Sequence, residues 1–170
     1  MKNKWVDREF NFEFDCSIYP EFIQRLNETP DILDSLIKLI PYNLLKIKKN
    51  NEWSIQENVG HLITVDDLFI GRLDDYQSDA ASLKPADVSG SGTNKENYNS
   101  IKIQDLLKLF REKRLGYINR LKNVNPNLFN KSAWHPRLEK PMRLCDMLYF
   151  QAEHDDHHIN KIKYLHQSLL

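Results

Sequence analysis

Apolar residues recur at three- and four-residue spacing in four blocks of the sequence, which are separated by polar stretches. This spacing places apolar side chains on one face of an α-helix. The second block runs from Ile55 to about Tyr76, the third covers residues 101–122, and the fourth runs from about Leu144 to the C-terminus. The pattern therefore predicts an all-α protein whose helices pack through their apolar faces.

The first block is bounded by a proline. Thr29 followed by Pro30 is a favourable helix start, because Thr can cap the first turn and Pro fits its first position. We predict a first helix from this point to about residue 40, with a short helix over residues 20–26 before it. The expected buried face of the first helix consists of Ile32, Leu33, Leu36, Ile37 and Ile40.

The connections between the helices are unequal in length. Ser54 and Glu57 fit the Ser-x-x-Glu capping box, which predicts where the second helix begins. Residues 78–100 form a long polar connection, either an ordered crossover or a mobile flap, and residues 123–141 form another. Four helices with two long connections predict a four-helix bundle. The expected buried face of the third helix consists of Ile103, Leu106, Leu107, Phe110, Leu115, Ile118 and Leu121.

Composition narrows the class of protein further. A chain of 170 residues with only five glycines favours one helical domain, so we predict a single domain over residues 1–170 with an N-terminal arm at 1–18. Lys plus Arg and Asp plus Glu each number 24, and this balance argues against a nucleic-acid partner. No apolar run approaches the ~20 residues of a membrane span. We expect a cytoplasmic protein, with Cys16 and Cys145 as reduced thiols.

The N-terminal arm carries aromatic residues that need a surface to pack on. Trp5 is followed by Phe10, Phe12 and Phe14 in the alternation of a short extended segment. Burial of these rings in a subunit interface predicts a homodimer. Packing of the arm on its own bundle is the competing explanation.

Histidines cluster in the last predicted helix. At about 100° per residue, His154 and His158 fall on its apolar face, whereas His157 points largely away. Asp155 also faces inward, where a carboxylate without a partner is costly. The cluster favours a divalent metal ion, with Asp155 near the ion or hydrogen-bonded to an imidazole. Hydrogen-bonded imidazoles in a polar layer are the alternative.

A third ligand has to come from another helix. His61 lies on the edge of the apolar arc of the second helix and is the best candidate. His166 is close to the C-terminus, and His135 lies in an irregular segment, as a substrate contact at the rim or as an ordinary loop residue. Neutral imidazoles are required for binding, so metal occupancy should fall below their unperturbed pKa of about 6.5.

Two other metal sites use the same residues. His154-Asp155-x-x-His158 is similar to the zincin motif and would make Asp155 a general base, but only twelve residues follow His158 to supply a third ligand. A di-iron carboxylate bundle needs two Glu-x-x-His units, and Asp155 with His158 is the nearest approach to one. Both alternatives are weaker than a three-histidine site.

Two motifs resemble those of the DinB/YfiT-like metalloenzyme superfamily. The first is Trp53-Ser54-Ile55 followed by Gly60-His61-Leu62, and the second is the stretch 152–159 followed by Ile162. Segments 135–138, 141–144 and 146–148 also resemble this superfamily, and the similarity extends over nearly the whole chain from about Tyr19.

The resemblance implies a site as well as a fold. It implies an up-down-down-up bundle, often dimeric, with a divalent metal ion, commonly zinc or nickel. Carried onto this sequence, the ligands are His61, His154 and His158, with water or substrate in the fourth position. Relatives include thiol-dependent transferases and isomerases, which implies a low-molecular-weight thiol such as bacillithiol or mycothiol as a cosubstrate.

We therefore expect a metal-dependent enzyme that acts on a small-molecule substrate as a thiol-dependent S-transferase. A metal-dependent hydrolase and a non-catalytic metal-binding stress protein are the alternatives. Arg72 in the second helix and Arg114 in the third are candidates to meet an anionic group of the substrate. A surface position is equally plausible for both.

Overall fold

A computed structural model describes residues 5–50 and 52–170 of the chain. Its four long helices form a bundle in which α1 and α2 each pack against both α4 and α5. The prediction of an all-α four-helix bundle is confirmed. The helices and strands are α1 Tyr19–Lys38, α2 Ile55–Gln77, α3 Ser91–Lys95, α4 Ile103–Lys122, β1 Ser132–His135, β2 Lys140–Arg143 and α5 Leu144–Leu169. Short 3-10 turns lie at Trp5–Asp7, Cys16–Ile18, Tyr42–Leu44, Tyr98–Ser100 and Pro126–Asn130.

Helix α1 is continuous, so the prediction that a helix begins at Thr29 is wrong. Pro30 lies inside α1 and has no N–H to donate to the carbonyl of Leu26, four residues earlier. Nη1 of Arg114 on α4 donates to this carbonyl over 2.9 Å instead. A tertiary hydrogen bond thus satisfies the group that proline leaves without its helical partner.

The predicted apolar faces are mostly buried, with two exceptions. Ile32 on α1 is 41% exposed and Leu115 on α4 is 42% exposed. Both lie at the margin of their helical face, where spacing alone does not tell how far the neighbouring helix reaches. In the part of the chain that the structure describes, no helix combines the length and apolarity of a membrane span.

Helix α2 begins as its capping motif predicts. The Ser54 hydroxyl accepts from the backbone N–H of Glu57 over 3.1 Å, and the Glu57 carboxylate accepts from the backbone N–H of Ser54 over 2.9 Å. The capping box is therefore confirmed. Because it fixes the first turn of α2, it also sets the register of His61 two turns later.

The long connection between α2 and α4 is an ordered crossover. The backbone N–H of Leu83 donates to the carbonyl of Trp134 in β1, and that of Trp134 donates to the carbonyl of Ala81, both over 2.9 Å. Strands β1 and β2 pair antiparallel, with Ser132 opposite Arg143. The crossover contains α3 and pairs with β1 of the other long connection, and both α3 and the end of β1 lie on the same side of the bundle as the histidines.

The N-terminal arm packs on its own bundle. The ring of Phe10 is buried 4.8 Å from that of Phe150 on α5, and Arg143 donates to the carbonyls of Phe12 and Phe14 over 3.0 and 3.1 Å. Residues 1–4 of the predicted arm lie outside the described residues. The competing explanation for the aromatic pattern is therefore correct, and the homodimer remains a prediction from the family resemblance alone.

Cys16 and Cys145 form a disulfide, with a Cα–Cα distance of 5.8 Å. The expectation of two reduced thiols is therefore wrong. The 3-10 turn before α1 places Cys16 against the first turn of α5, which carries Cys145. The two residues are 129 positions apart, so their spacing gives no sign of the pairing.

Candidate metal centre

Three histidines converge between α2 and α5. His61 comes from α2 and His154 and His158 come from α5, and one ring nitrogen from each lies within 4.8 Å of the other two. Nε2 of His61 is 3.4 Å from Nε2 of His154. His154 and His158 are buried, whereas His157 is partly exposed, so the helical register inferred from the sequence is confirmed.

The ring of His158 is held by Asn58, one turn before His61 on α2. Its Nδ1 lies 2.9 Å from Oδ1 of Asn58. The amide nitrogen of Asn58 donates to the carbonyls of Ser54 and Trp53, over 2.8 and 3.3 Å, so its oxygen faces His158 as an acceptor. Nδ1 of His158 therefore carries the proton, and the lone pair of Nε2 is available to a metal ion.

The other two rings are positioned differently. Nδ1 of His61 lies 2.8 Å from the hydroxyl of Thr93 on α3, and the indole of Trp53 packs on the His61 ring at 4.5 Å between centroids. His154 is packed by Trp5 at 5.1 Å, and its Nδ1 is buried without a hydrogen-bond partner among the described residues. His154 is thus oriented by packing, whereas hydrogen bonds orient His61 and His158.

Burial keeps the imidazoles neutral. It lowers the pKa of His61 to about 4, with a contribution from the nearby His157. Burial lowers the pKa values of His154 and His158 well below the ordinary value, and repulsion from the neighbouring imidazoles lowers them further. All three side chains can therefore offer a lone pair at neutral pH without losing a proton first.

The donor set and its spacing fit a divalent ion. Tetrahedral zinc with Zn–N bonds of 2.0–2.1 Å places its ligand nitrogens about 3.3 Å apart. The 3.4 Å between Nε2 of His61 and Nε2 of His154 is close to this separation. Three neutral imidazole nitrogens are also a ligand set that suits zinc and nickel.

Asp155 points away from this centre into a buried ion network. Its carboxylate accepts from Nη1 of Arg114 over 2.6 Å and from the hydroxyl of Thr29 over 2.8 Å. Arg114 also donates to both oxygens of Asp66, over 2.8 and 3.0 Å. The expected bond from Asp155 to an imidazole is not found among the described residues. Arg114 is fully buried, so the surface position is wrong for it. Both of its carboxylate partners lie inside the bundle, and it does not line the cavity beside the histidines, so the structure does not support a contact with substrate.

A cavity of about 190 Å³ adjoins the three histidines. Arg72 lines it and is buried, so the alternative of a surface position is wrong for this residue as well. His135 ends β1 and is a buried part of the same wall rather than a loop residue. His166 is half-buried near the end of α5 and does not line the cavity. Further lining residues are Trp5, Val65, Leu68, Phe69, Asp87, Arg137, Phe150 and His157.

Sequence reasoning missed three polar residues of the site. Asn58 precedes His61 by one helical turn, a spacing that could have indicated a shared face. Thr93 lies in the crossover, where no periodic pattern exists. Arg137 occurs in a segment that resembles the superfamily, but nothing in its spacing indicates a cavity.

The fold and this centre define a helical bundle with a three-histidine site, and comparisons with known proteins identify the family. The sequence matches the DinB superfamily over residues 25–162. The chain belongs to this superfamily. A comparison with curated proteins gave no significant match.

Solved structures share the fold. YfiT from Bacillus subtilis, described as a probable metal-dependent hydrolase with an unusual four-helix bundle topology, has a TM-score of 0.82 at 18% identity, covering 95% of this chain and 93% of its own. The colibactin self-resistance protein ClbS in complex with a dsDNA has a TM-score of 0.68 at 15% identity, covering 88% and 95%. The mycothiol-dependent maleylpyruvate isomerase has a TM-score of 0.66 at 8% identity, covering 84% and 59%.

Proposed function

We propose that this protein is a metal-dependent enzyme that acts on a small molecule, with zinc or nickel held by His61, His154 and His158. The observation that carries the proposal is the convergence of three neutral imidazoles at the wall of a cavity. A divalent ion held by these three ligands would lower the pKa of a bound water to about 7, or would hold a bound thiol as the thiolate. The surrounding residues determine which of these two nucleophiles is used.

The chain's own residues position the ligands and limit access to them. Asn58 and Thr93 hold His158 and His61 in place, and such partners make a metal site more rigid and its ligands more basic. Trp53 and Trp5 cover the rings of His61 and His154. These indoles exclude water from two sides of the centre and leave the cavity as the approach for substrate.

Two reaction classes fit this arrangement. The structural similarity to YfiT supports hydrolysis of a small molecule, and the similarity to the mycothiol-dependent isomerase supports a reaction that uses a low-molecular-weight thiol. We place thiol-dependent transfer first and hydrolysis second. The neutral overall charge favours a small-molecule substrate over a nucleic acid.

The test begins with metal content. Protein purified without a histidine tag is expected to contain about one zinc or nickel per chain, and His61→Ala is expected to lose it. Activity would then be screened with electrophiles in the presence and absence of thiols, and with ester and amide substrates. Turnover that requires a thiol identifies a transferase, and turnover without one identifies a hydrolase. A protein that binds no metal would contradict the proposal, and bound metal without turnover would indicate a non-catalytic binding protein.

A further inference from the structure

One part of the cavity wall presents hydrogen-bond donors without acceptors. Nη2 of Arg72, Nη2 of Arg137 and Nε2 of His135 are all buried, and none has a hydrogen-bond partner among the described residues. All three side chains line the cavity that the histidine centre adjoins. Buried polar groups are normally paired, so three unpaired groups in one wall require an explanation.

Nε2 of His135 is a hydrogen-bond donor because of the tautomer of the imidazole. Nδ1 of His135 accepts a hydrogen bond from the backbone N–H of Leu138 over 3.1 Å. The proton of the neutral imidazole must therefore be on Nε2. Burial and the positive charges of Arg72 and Arg137 lower the pKa of His135 to about 4, so it is neutral at pH 7 and still donates.

The two arginines also lack a direct carboxylate partner among the described residues. Burial lowers the pKa of Arg72 and the charge of Asp75 opposes this shift, but this carboxylate is paired with Nζ of Lys84 over 2.9 Å. Nε of Arg72 donates to the carbonyl of Lys84 over 2.9 Å, and Nη1 of Arg137 donates to the carbonyl of Val6 over 3.2 Å. In the described part of the chain, no carboxylate forms an ion pair with either guanidinium. Arg114 shows the contrast with Arg72, since both are fully buried but Arg114 has two carboxylate partners.

The acidic side chain of Asp87 in the cavity wall is engaged elsewhere. Asp87 lines the cavity, but its oxygens accept from Ser89, Ser91 and the backbone N–H of Gly92 at the start of α3. These hydrogen bonds hold the pKa of Asp87 well below its usual range. Its charge therefore stabilises the turn before α3 and does not pair with Arg72 or Arg137.

Aromatic rings connect these donors to the histidine centre. The guanidinium of Arg137 lies 5.5 Å from the centroid of Phe150, and the ring of His135 lies 5.8 Å from it. Phe150 packs on Trp5 at 5.1 Å, and Trp5 packs on His154 at the same distance. One apolar wall thus has the donors at one end and the histidines at the other.

We propose that Arg72, Arg137 and His135 form an oxyanion subsite that binds a carboxylate or phosphate group of the substrate. Guanidinium groups are suited to both anions because their N–H groups form a planar fork. The subsite would anchor the anionic end of a small molecule while its reacting end faces the histidine centre. The orientation of the reacting end toward the histidine centre rests on the proposed function. Binding of the anionic group does not, since the anion can bind without a metal ion.

The binding test uses metal-free protein, because phosphate and carboxylates also bind metal ions. Inorganic phosphate and propionate are titrated separately into EDTA-dialysed wild type and into His61→Ala, with binding measured by calorimetry. At least one anion is expected to bind both proteins with similar affinity. Binding of phosphate alone, or of propionate alone, identifies which anionic group the substrate carries.

Substitutions in the subsite supply the second measurement. Arg72→Met and Arg137→Met are each expected to weaken anion binding about tenfold or more, whereas Arg120→Met, at a surface pair with Asp74, should leave it unchanged. Arg72→Met should also raise the melting temperature in anion-free buffer, because it removes a buried charge that has no carboxylate partner. If Arg72→Met does not fold, the half-buried Arg137 still provides the test.

The outcomes separate this proposal from the proposed function. Wild type that binds neither anion, or arginine variants that bind them as wild type does, would overturn the subsite. These same variants are expected to retain zinc, because neither arginine touches the three histidines. A wild-type protein that binds no zinc would contradict the proposed metal centre, and the anion titrations would still test the subsite.

Discussion

Nδ1 of His158 donates a hydrogen bond to Oδ1 of Asn58 over 2.9 Å, across the interface between α5 and α2. Asn58 is in turn tied to the carbonyl of Ser54, the residue that caps α2. The first turn of one helix thus orients a histidine on another, and the capping motif acts on the candidate metal centre as well as on helix stability.

Replacement of Asn58 by alanine should therefore weaken metal binding. We expect Asn58→Ala to lower zinc affinity about 10–100-fold, the usual effect of losing the partner of a ligand histidine. Asn58→Asp keeps an acceptor for Nδ1 and should retain most of the affinity. Asn160→Ala, at an exposed position of α5, is the matched control. Competition with a chromogenic chelator measures the affinity, and equal affinity for Asn58→Ala and wild type would contradict the assigned role.

The two adjacent histidines of α5 should respond differently to substitution. His158 faces the bundle and contributes a nitrogen to the cluster, whereas His157 is partly exposed and is not one of the three converging residues. We expect His158→Ala to lose tight zinc binding and His157→Ala to keep it. Bound metal per chain, measured by elemental analysis of variants purified in parallel, tests this. The opposite result would show that the helical register is wrong.

The pH dependence of zinc affinity should follow the pKa values of the buried histidines. An unperturbed histidine has a pKa of about 6.5, but burial lowers the pKa of His61 to about 4. Protons should therefore compete with zinc only well below pH 6, and affinity should stay nearly constant between about pH 7 and pH 5. Chelator competition at several pH values measures this. A steep loss of affinity just below pH 6.5 would contradict it.

The lowered pKa of His61 also affects the stability of the metal-free protein. Between about pH 6.5 and pH 4 the unfolded chain binds a proton at position 61 that the folded protein does not. The free energy of unfolding should therefore decrease as the pH falls through this window. Thermal denaturation of EDTA-dialysed protein measures it, and His61→Ala should show a weaker dependence on pH.

The fold was predictable because its signals are local. The apolar spacing of α2, α4 and α5 and the capping box at Ser54 require only neighbouring residues. Pro30 shows where this approach fails, since its place inside α1 depends on Arg114, a residue 84 positions away that donates to Leu26. Proline indicates the start of an isolated helix reliably, but here a tertiary contact allows the helix to continue through it.

The site was predictable in part. His154 and His158 follow from helical geometry, and His61 is the histidine on a facing helix, so the cluster could be inferred without contacts. The inward orientation of Asp155 was also predicted correctly, but its partner was not. An inward carboxylate requires a positive charge, and the sequence offers no means to tell a metal ion from the guanidinium of Arg114. The lack of a carboxylate partner for Arg72 likewise depends on which groups the crossover brings near it.

The buried network around Arg114 should contribute to stability and not to metal binding. Arg114→Met leaves Asp66 and Asp155 buried without their shared partner, and removing one member of such a network typically costs about 3–5 kcal/mol. Asp155→Asn should also lower stability while zinc affinity stays unchanged, because its carboxylate contacts Arg114 and Thr29 and not an imidazole. Urea denaturation and zinc titration provide the two measurements. Lys108→Met, at an exposed pair on α4, is the control, and reduced zinc affinity in well-folded Asp155→Asn would contradict this assignment.

The disulfide gives the last prediction. Cys16 and Cys145 close a loop of most of the chain, since they are 129 residues apart, and join the start of α1 to the start of α5. Reduction should lower the free energy of unfolding by about 2–5 kcal/mol, because the unfolded chain loses a long-range constraint. Urea denaturation with and without a phosphine reductant, which has no thiol to bind zinc, measures the change. Cys145→Ser should be insensitive to the reductant, and alkylation of both cysteines in unfolded but unreduced wild type would show that the bond is absent.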